Sequence, residues 1–270
     1  WRLAAMNMAL RGYSADLGKE HGSTFAKDQH PDIKFDYIIA NPPFNDSDWE
    51  GEKYREDIRW IYGVPPINNA NFAWFQHIIS KLQPDGQAGV VMANGASSAN
   101  DSGEGDIRAA MIKDDLIEII ISLPSNLFAN VTVPATLWFI SKDKSKHGRK
   151  RTNETLFINA KNLGVMQTRK LRIFTDEDIQ KIQNTVSLWR EGKGYKDIEG
   201  FCKSSNTEEI EENGFNLNSV RYVGFDEGQD DEIPFKEKMD KLITQYKNTE
   251  EEISQLTESI QKKLSIFKNE

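Results

Sequence analysis

Apolar positions along this chain follow two patterns, short unbroken runs and stretches of helical period. Residues 35–40, Phe35-Asp36-Tyr37-Ile38-Ile39-Ala40, form a β-prone run of the length of one buried strand. The run stops at Asn41, because a residue before proline is pushed out of the helical region and Pro42 and Pro43 follow in succession. Residues 71–82 instead place Phe72, Phe75, Ile78, Ile79 and Leu82 on one helical face, with Asn69 or Asn71 positioned to cap the start. Pro84-Asp85-Gly86 turns the chain into a strand at 88–93. A helix at 106–113, a buried strand at 116–123 ended by Pro124, and a strand at 131–140 with Pro134 near its start complete this half. Such alternation predicts an α/β fold with a doubly wound sheet, in which the last two strands can pair antiparallel.

The flanking regions are less regular. Residues 1–10 read as a helix ending at Gly12, and residues 14–25 as a short strand and turn. Residues 45–67 are long, polar and aromatic, so they are expected either to form a lip over a site or to pack their own aromatics. Thr175 opens a helix with a capping-box start, and Ile179, Ile182, Val186 and Trp189 form its buried stripe. Residues 192–214 are irregular, and residues 225–231 read as an acidic linker. Beyond it, Phe235, Met239, Leu242, Tyr246, Thr249, Ile253, Leu256 and Ile260 recur at steps of four and three, the seam of a coiled coil. A lone helix with such a stripe is poorly stable, so the seam calls for a partner.

Charge narrows the possible partners. The chain has 270 residues with 34 basic and 42 acidic side chains, a net charge of −8. A chain coating nucleic acid unaided would be basic, so any grip on DNA is local or supplied by a partner. Residues 142–151 are the most basic run and read as a solvated hairpin loop or as a phosphate-contacting one, which Arg169-Lys170-Leu171-Arg172 could join. The single cysteine, Cys202, excludes an internal disulfide and a thiolate-rich metal site, and it reads as a packed thiol in an intracellular, cytoplasmic protein. No metal is expected: His21 and His30 stand apart from other ligand types. Neither a membrane-spanning run nor a signal peptide is visible. The start at Trp1, without methionine, suggests a cut piece.

The chemistry sits at the end of the first run. Both prolines lack an N–H, so the Asn41-Pro42-Pro43-Phe44 turn presents carbonyls, one side-chain amide and an aromatic face. At the carboxyl end of a strand, where open α/β sheets bind ligands, this is a polar hook for an amino group. An exocyclic amine is a poor nucleophile because its lone pair is spread into the ring. Two acceptors on its N–H bonds, the Asn41 side-chain oxygen and the Pro42 carbonyl, would draw the nitrogen toward tetrahedral geometry. Phe44 could stack on a base taken out of the duplex. The alternative is a strand end followed by a rigid turn, with Phe44 in the core.

Asn41-Pro42-Pro43-Phe44 resembles the catalytic motif of amino-methyltransferases that use S-adenosylmethionine. Its surroundings are more specific. Phe44-Asn45-Asp46-Ser47-Asp48-Trp49, Tyr62-Gly63-Val64-Pro65-Pro66, Asn69-Ala70-Asn71-Phe72-Ala73-Trp74 and Ser102-Gly103-Glu104-Gly105-Asp106-Ile107-Arg108 resemble the modification subunit of type I restriction–modification systems. So do Leu163-Gly164 and Arg221-Tyr222-Val223-Gly224. The resemblance implies adenine-N6 methylation of double-stranded DNA, with Asn41, Pro42, Pro43 and Phe44 as the catalytic set. It also implies S-adenosylmethionine as cofactor, contacted by Ser23, Asn41 and Phe72, although the family often has an acidic residue where this chain has Ser23. The partners implied are a specificity subunit, a restriction subunit and a second modification subunit.

The implied organisation is part of a methyltransferase domain at 1–148, a mixed extension packing on it at 149–225, and a linker with a long assembly helix at 226–270. The family's glycine-rich cofactor loop is not among these residues: Gly103/Gly105 and Gly192/Gly194 do not follow strands and read as turns. A methyltransferase sheet without its first strands would leave residues 35–40 as an apolar edge, to be paired with another chain or covered by residues 14–25. Weak binding of S-adenosylmethionine by this piece follows from the same reasoning. Methylation of protein glutamine or ribosomal RNA is the enzyme alternative, and a non-catalytic assembly piece the other.

Overall fold

The computed structural model describes residues 1–128 and 132–224, together with residues 239, 240, 242–247, 249, 250, 253, 254, 256, 257 and 260. Its elements run α1 (Arg2–Leu10), β1 (Phe35–Ala40), α2 (Asn71–Lys81), β2 (Leu82–Ala93), α3 (Glu104–Lys113), β3 (Ile117–Ser122) and β4 (Ala135–Ser141). Then follow β5 (Glu154–Asn159), β6 (Val165–Met166), β7 (Arg172–Ile173), α4 (Asp176–Glu191), β8 (Cys202–Asn206), α5 (Thr207–Glu212) and α6 (Val220–Val223). Six strands form one sheet in the order β1-β2-β4-β3-β5-β8. β1 runs parallel to β2 and β3 parallel to β5, while β4 is antiparallel to both β2 and β3. β1, β2, β3 and β5 therefore all end on the same edge of the sheet.

β3 is buried along its whole length, because helices cover both faces. On one side Phe72, Phe75, Ile78 and Ile79 of α2 and Ile107 and Met111 of α3 pack on Val90, Ile120 and Trp138. On the other, Trp189 of α4 packs with Ile119, Ile121, Leu156 and Ile158. The apolar run at 117–122 thus matches a strand shielded on two sides, whereas the run at 35–40 forms the edge strand β1 and is largely exposed. Residues 149–225, expected as an extension packing on the sheet, contribute two of its strands, β5 and β8. The chain divides into two compact units, Trp1–Asp226 and Glu227–Glu270.

Several local expectations change. Residues 14–25 form turns and no strand. Backbone groups that a strand would pair are met by one side chain: Gln29 Oε1 accepts from Lys19 N (2.8 Å) and Glu20 N (3.1 Å), and its Nε2 donates to Glu20 O (2.6 Å). This segment does not cover β1, whose Ile39 is 94% exposed; Phe25 turns away to pack with Trp49 and Trp60. Residues 45–67 pack their own aromatics around that cluster, although Asn45 lies elsewhere, as described below. The expected turn at Pro84-Asp85-Gly86 lies inside β2 as a bulge, where the pairing jumps from Phe35↔Leu82 to Tyr37↔Gln87.

The basic run at 142–151 is only partly a solvated loop: Lys142, Lys146 and Lys150 are exposed, while its other cations are held internally. Lys144 is buried against Asp115 (2.6 Å), Arg151 against Glu118 (3.0 Å), and Arg149 pairs with Glu154 (2.5 Å). α4 starts with the expected capping box, Thr175 Oγ1 accepting from Asp178 N (3.2 Å) while Thr175 N donates to Asp178 Oδ2 (2.9 Å). Cys202 is buried and its thiol is pushed up by that burial.

Among the described residues no helix is long and apolar enough to cross a membrane, and no cluster of His, Cys, Asp or Glu is disposed to hold a metal ion. In the second unit, the seam residues Met239, Leu242, Tyr246, Ile253, Leu256 and Ile260 are helical and exposed. The acidic linker at 225–231 and seam residue Phe235 lie outside the described residues.

Candidate active site

At the edge where the parallel strands end, Asn41, Pro42, Pro43 and Phe44 leave β1 and line an open cleft of about 790 Å³. Asn45, Ala93 at the end of β2, Phe128 beyond β3, and Val133 just before β4 complete its lining. Asn41 and Pro43 are exposed, Pro42 is buried, and Phe44 is half-buried, packed against both core clusters. The hook is therefore held by its second and fourth residues and presents its first.

A second anchor holds the turn from the far side. Asn45 adopts a left-handed conformation (φ 52°) and faces Asn71, the first residue of α2. Asn45 N donates to Asn71 Oδ1 (3.0 Å), and Asn71 Nδ2 donates to Asn45 Oδ1 (2.8 Å). Asn71 is 1% exposed, so its side of this reciprocal pair is shielded from water, while Asn45 stands at the surface. Asn69, one of the two expected caps, accepts from Asn71 N (3.0 Å), while the Asn71 side chain is spent on the turn instead. Next to Ala93, Asn94 accepts a hydrogen bond from Thr136 Oγ1 (2.9 Å).

The lining has one chemical character. Among the described residues it offers amides, prolines and two phenyl rings, and no side chain that ionises near neutral pH. Titratable groups gather elsewhere, near the C-terminal half of α2. There Arg59 pairs with Asp57 (2.5 Å) and approaches His77 Nδ1 (3.1 Å). Burial first, then the Arg59 charge, push the His77 imidazole down to about 4. A proton-abstracting base is thus not supplied by the described cleft residues. Hydrogen-bond acceptors and stacking surfaces are.

Of the residues expected at the site, Asn41, Pro42, Pro43 and Phe44 are together in the cleft. Ser23 is exposed on a separate turn, its Oγ accepting from Phe25 N (3.3 Å), and does not line the cleft. Phe72 is fully buried against Phe75, with ring centroids 5.6 Å apart, and belongs to the core cluster rather than to the cleft lining. The sequence reading missed Phe128 and Val133, which follow Pro124 and precede Ala135 in a segment without periodicity, and it missed the Asn45–Asn71 pair. A usable signal was there: an asparagine at a helix start serves the backbone or another amide, and Asn45 is the nearest amide beyond the prolines.

A strand-end Asn-Pro-Pro-Phe turn over a helix-covered sheet defines an α/β protein of the methyltransferase type. Residues 1–231 match the model of the N-6 DNA methylase family, and the chain belongs to that family. It is 46% identical over 264 residues to the type I restriction enzyme HindI methylase subunit of Haemophilus influenzae, covering 98% of this chain and 58% of that protein. The type I restriction enzyme MjaIX methylase subunit of Methanocaldococcus jannaschii is 39% identical, covering 96% of this chain and 47% of that protein. Among solved structures, the type I restriction-modification methyltransferase subunit from Streptococcus thermophilus superposes with a TM-score of 0.71 at 29% identity, over 84% of this chain and 46% of that one. The chain thus spans about half the length of the curated relatives it matches.

The family implies S-adenosylmethionine, and the fit is one-sided. The hollow beside the free edge of β1, about 320 Å³, is lined by Phe35, Tyr37, Ile38, Ile39, His77, Ile78 and Lys81. It contains no carboxylate of the kind that binds ribose hydroxyls, and Lys81 is already paired with Asp28. The cleft residues fit the amine side of a methyl-transfer site, and this hollow does not fit the ribose of the cofactor.

Proposed function

We propose that the complete protein is an adenine-N6 DNA methyltransferase, the modification subunit of a type I restriction–modification complex, and that this chain carries the side of the site that receives the amine. S-adenosylmethionine, held by the complete protein, supplies an electrophilic methyl group. An adenine leaves the duplex and enters the cleft, where Phe44 and Phe128 offer faces for stacking. Its amino group donates to Asn41 Oδ1 and to the Pro42 carbonyl, which pulls the nitrogen lone pair out of conjugation with the ring and fixes its direction.

The observation that carries this reading is an exposed amide on a doubly anchored turn, in a cleft whose described lining residues include no ionisable side chain. An amine acceptor needs polarisation and aim more than a strong base. The test is transfer of labelled methyl from S-adenosylmethionine to duplex DNA by the complete protein, with digestion to nucleosides. Label is expected on adenine N6, and it should vanish when purine lacking the amino group replaces the target adenine. Label on protein glutamine or on RNA would move the reading to another amino-methyltransferase, and no transfer to any substrate would leave an assembly role.

The exposed seam of the second unit supports assembly with the helices of a specificity subunit. Deleting the chain from residue 234 onward is expected to leave the sheet unit folded, because its core is drawn from Trp1–Asp226. Co-purification with the specificity subunit should be lost. Complex formation at wild-type yield would remove the coiled-coil role.

A further inference from the structure

We infer that the β6–β7 hairpin is a phosphate-contacting arm, gripping the DNA backbone beside the base received at Asn41. The inference rests on the DNA methyltransferase reading above. It begins from a mismatch: a chain with a net charge of −8 needs local cations at its DNA face, and its most basic run is in the wrong place. Residues 142–151 follow β4, the antiparallel strand, and Lys142 N donates to Gly86 O (3.1 Å) near the start of β2. That is the sheet edge opposite Asn41. Three cations of the run are also neutralised internally, Lys144 by Asp115, Arg149 by Glu154 and Arg151 by Glu118.

The hairpin has the opposite placement. It follows β5, which ends on the same edge as β1 and β3. Arg172 N donates to Asn126 O (2.8 Å), and Phe128, two residues beyond Asn126, lines the cleft. The arm is thereby tied to a wall of the candidate site.

Its construction is rigid. Arg172 Nη1 clamps the base of the hairpin by donating to Leu163 O (3.0 Å) and Gly164 O (3.2 Å). Gly164 (φ +81°) admits no side chain, since a Cβ there would meet Ile173 O at 2.7 Å. At the tip, Leu171 O accepts from Gln167 N (2.9 Å) and Thr168 N (3.2 Å). Thr168 Oγ1 accepts in return from Lys170 N (3.2 Å) and Leu171 N (3.0 Å). Arg169 and Lys170 project from this turn, exposed, and form no ion pair among the described residues. Cations held on a preformed turn lose little freedom when they meet a phosphate, and phosphate contacts of this kind set register without reading sequence.

The test is salt-dependent binding of a labelled duplex by the complete protein, read by fluorescence anisotropy. The double variant Arg169→Gln/Lys170→Gln is expected to flatten the plot of log affinity against log salt by about two, roughly one for each phosphate no longer neutralised. Binding at low salt should weaken about tenfold or more, equally for target and non-target duplexes. Lys146→Gln/Lys150→Gln, on the opposite sheet edge, should keep the wild-type slope. An unchanged slope in the first variant overturns the inference, as does a wild-type protein with no affinity for DNA. Loss of co-purification with a protein partner at an unchanged slope also overturns it and reassigns the hairpin to protein contact. Wild-type protein that binds duplex through the arm but transfers no methyl would strike the enzymatic reading and leave the arm standing.

Discussion

Asn41→Ala is expected to lower methyl transfer by the complete protein on the order of 10²-fold or more, by analogy with removal of one preorganised partner of developing charge. Its melting temperature should stay close to wild type. Asn41 is exposed, so its truncation opens no cavity. The turn keeps its shape without it, because Pro42 is buried, Phe44 packs on both core clusters, and the Asn45–Asn71 pair fixes the following residue. The loss should fall on turnover more than on DNA affinity, since the amide serves the amine mainly as charge develops on nitrogen. Phe44 would be a poorer probe. Its ring is shared between the cleft and the core, so a smaller side chain there changes packing and stacking together. Single-turnover rates for Asn41→Ala within a few-fold of wild type would remove the acceptor role assigned to this residue.

How much of this was legible in the sequence follows from what each residue meets. The strand Ile117–Ser122 shows as an apolar run because its surroundings are apolar on both faces, and the strand before Asn41 shows as one although it stands at the exposed sheet edge. β8, Cys202–Asn206, is polar and invisible to such a pattern; it exists because β5 offers it a full antiparallel register, with Ser204 Oγ accepting from Trp189 Nε1 (2.9 Å). Residues 14–25 mislead for a related reason, since Gln29 does the pairing that a strand neighbour would do. Of the site, the hook was legible because its chemistry is contiguous, whereas Phe128 and Val133 reach the cleft through strand order alone. The internal pairing of Lys144 and Arg151 was not legible because their partners, Asp115 and Glu118, lie more than two dozen residues upstream. Yet Glu118 carried a signal. A lone carboxylate inside the run Ile117-Glu118-Ile119-Ile120-Ile121 had to be solvated or paired, and a strand covered on both faces leaves only pairing.

That carboxylate should dominate the stability of the first unit. Glu118 is fully buried and holds two guanidinium groups: Arg151, also fully buried, at 3.0 Å, and Arg190 of α4 at 2.7 Å. Arg151 has two further acceptors, the Arg149 carbonyl and Lys146 O (2.8 Å), but no second carboxylate among the described residues. Glu118→Ala would leave its charge buried and uncompensated and is expected to cost about 3–5 kcal/mol. Chemical denaturation would show this as a lower midpoint at an unchanged slope. Replacing Glu118, Arg151 and Arg190 together by apolar residues of similar volume should recover most of the loss, because the triad's desolvation cost disappears along with its attraction. A loss below about 1 kcal/mol for the single variant would mean that water reaches Arg151 once the carboxylate is gone, and the argument from burial would fail. The triad also separates stability from chemistry. Glu118 lies near the start of β3 and the cleft beyond its end, so below the variant's melting transition methyl transfer should proceed at the wild-type rate.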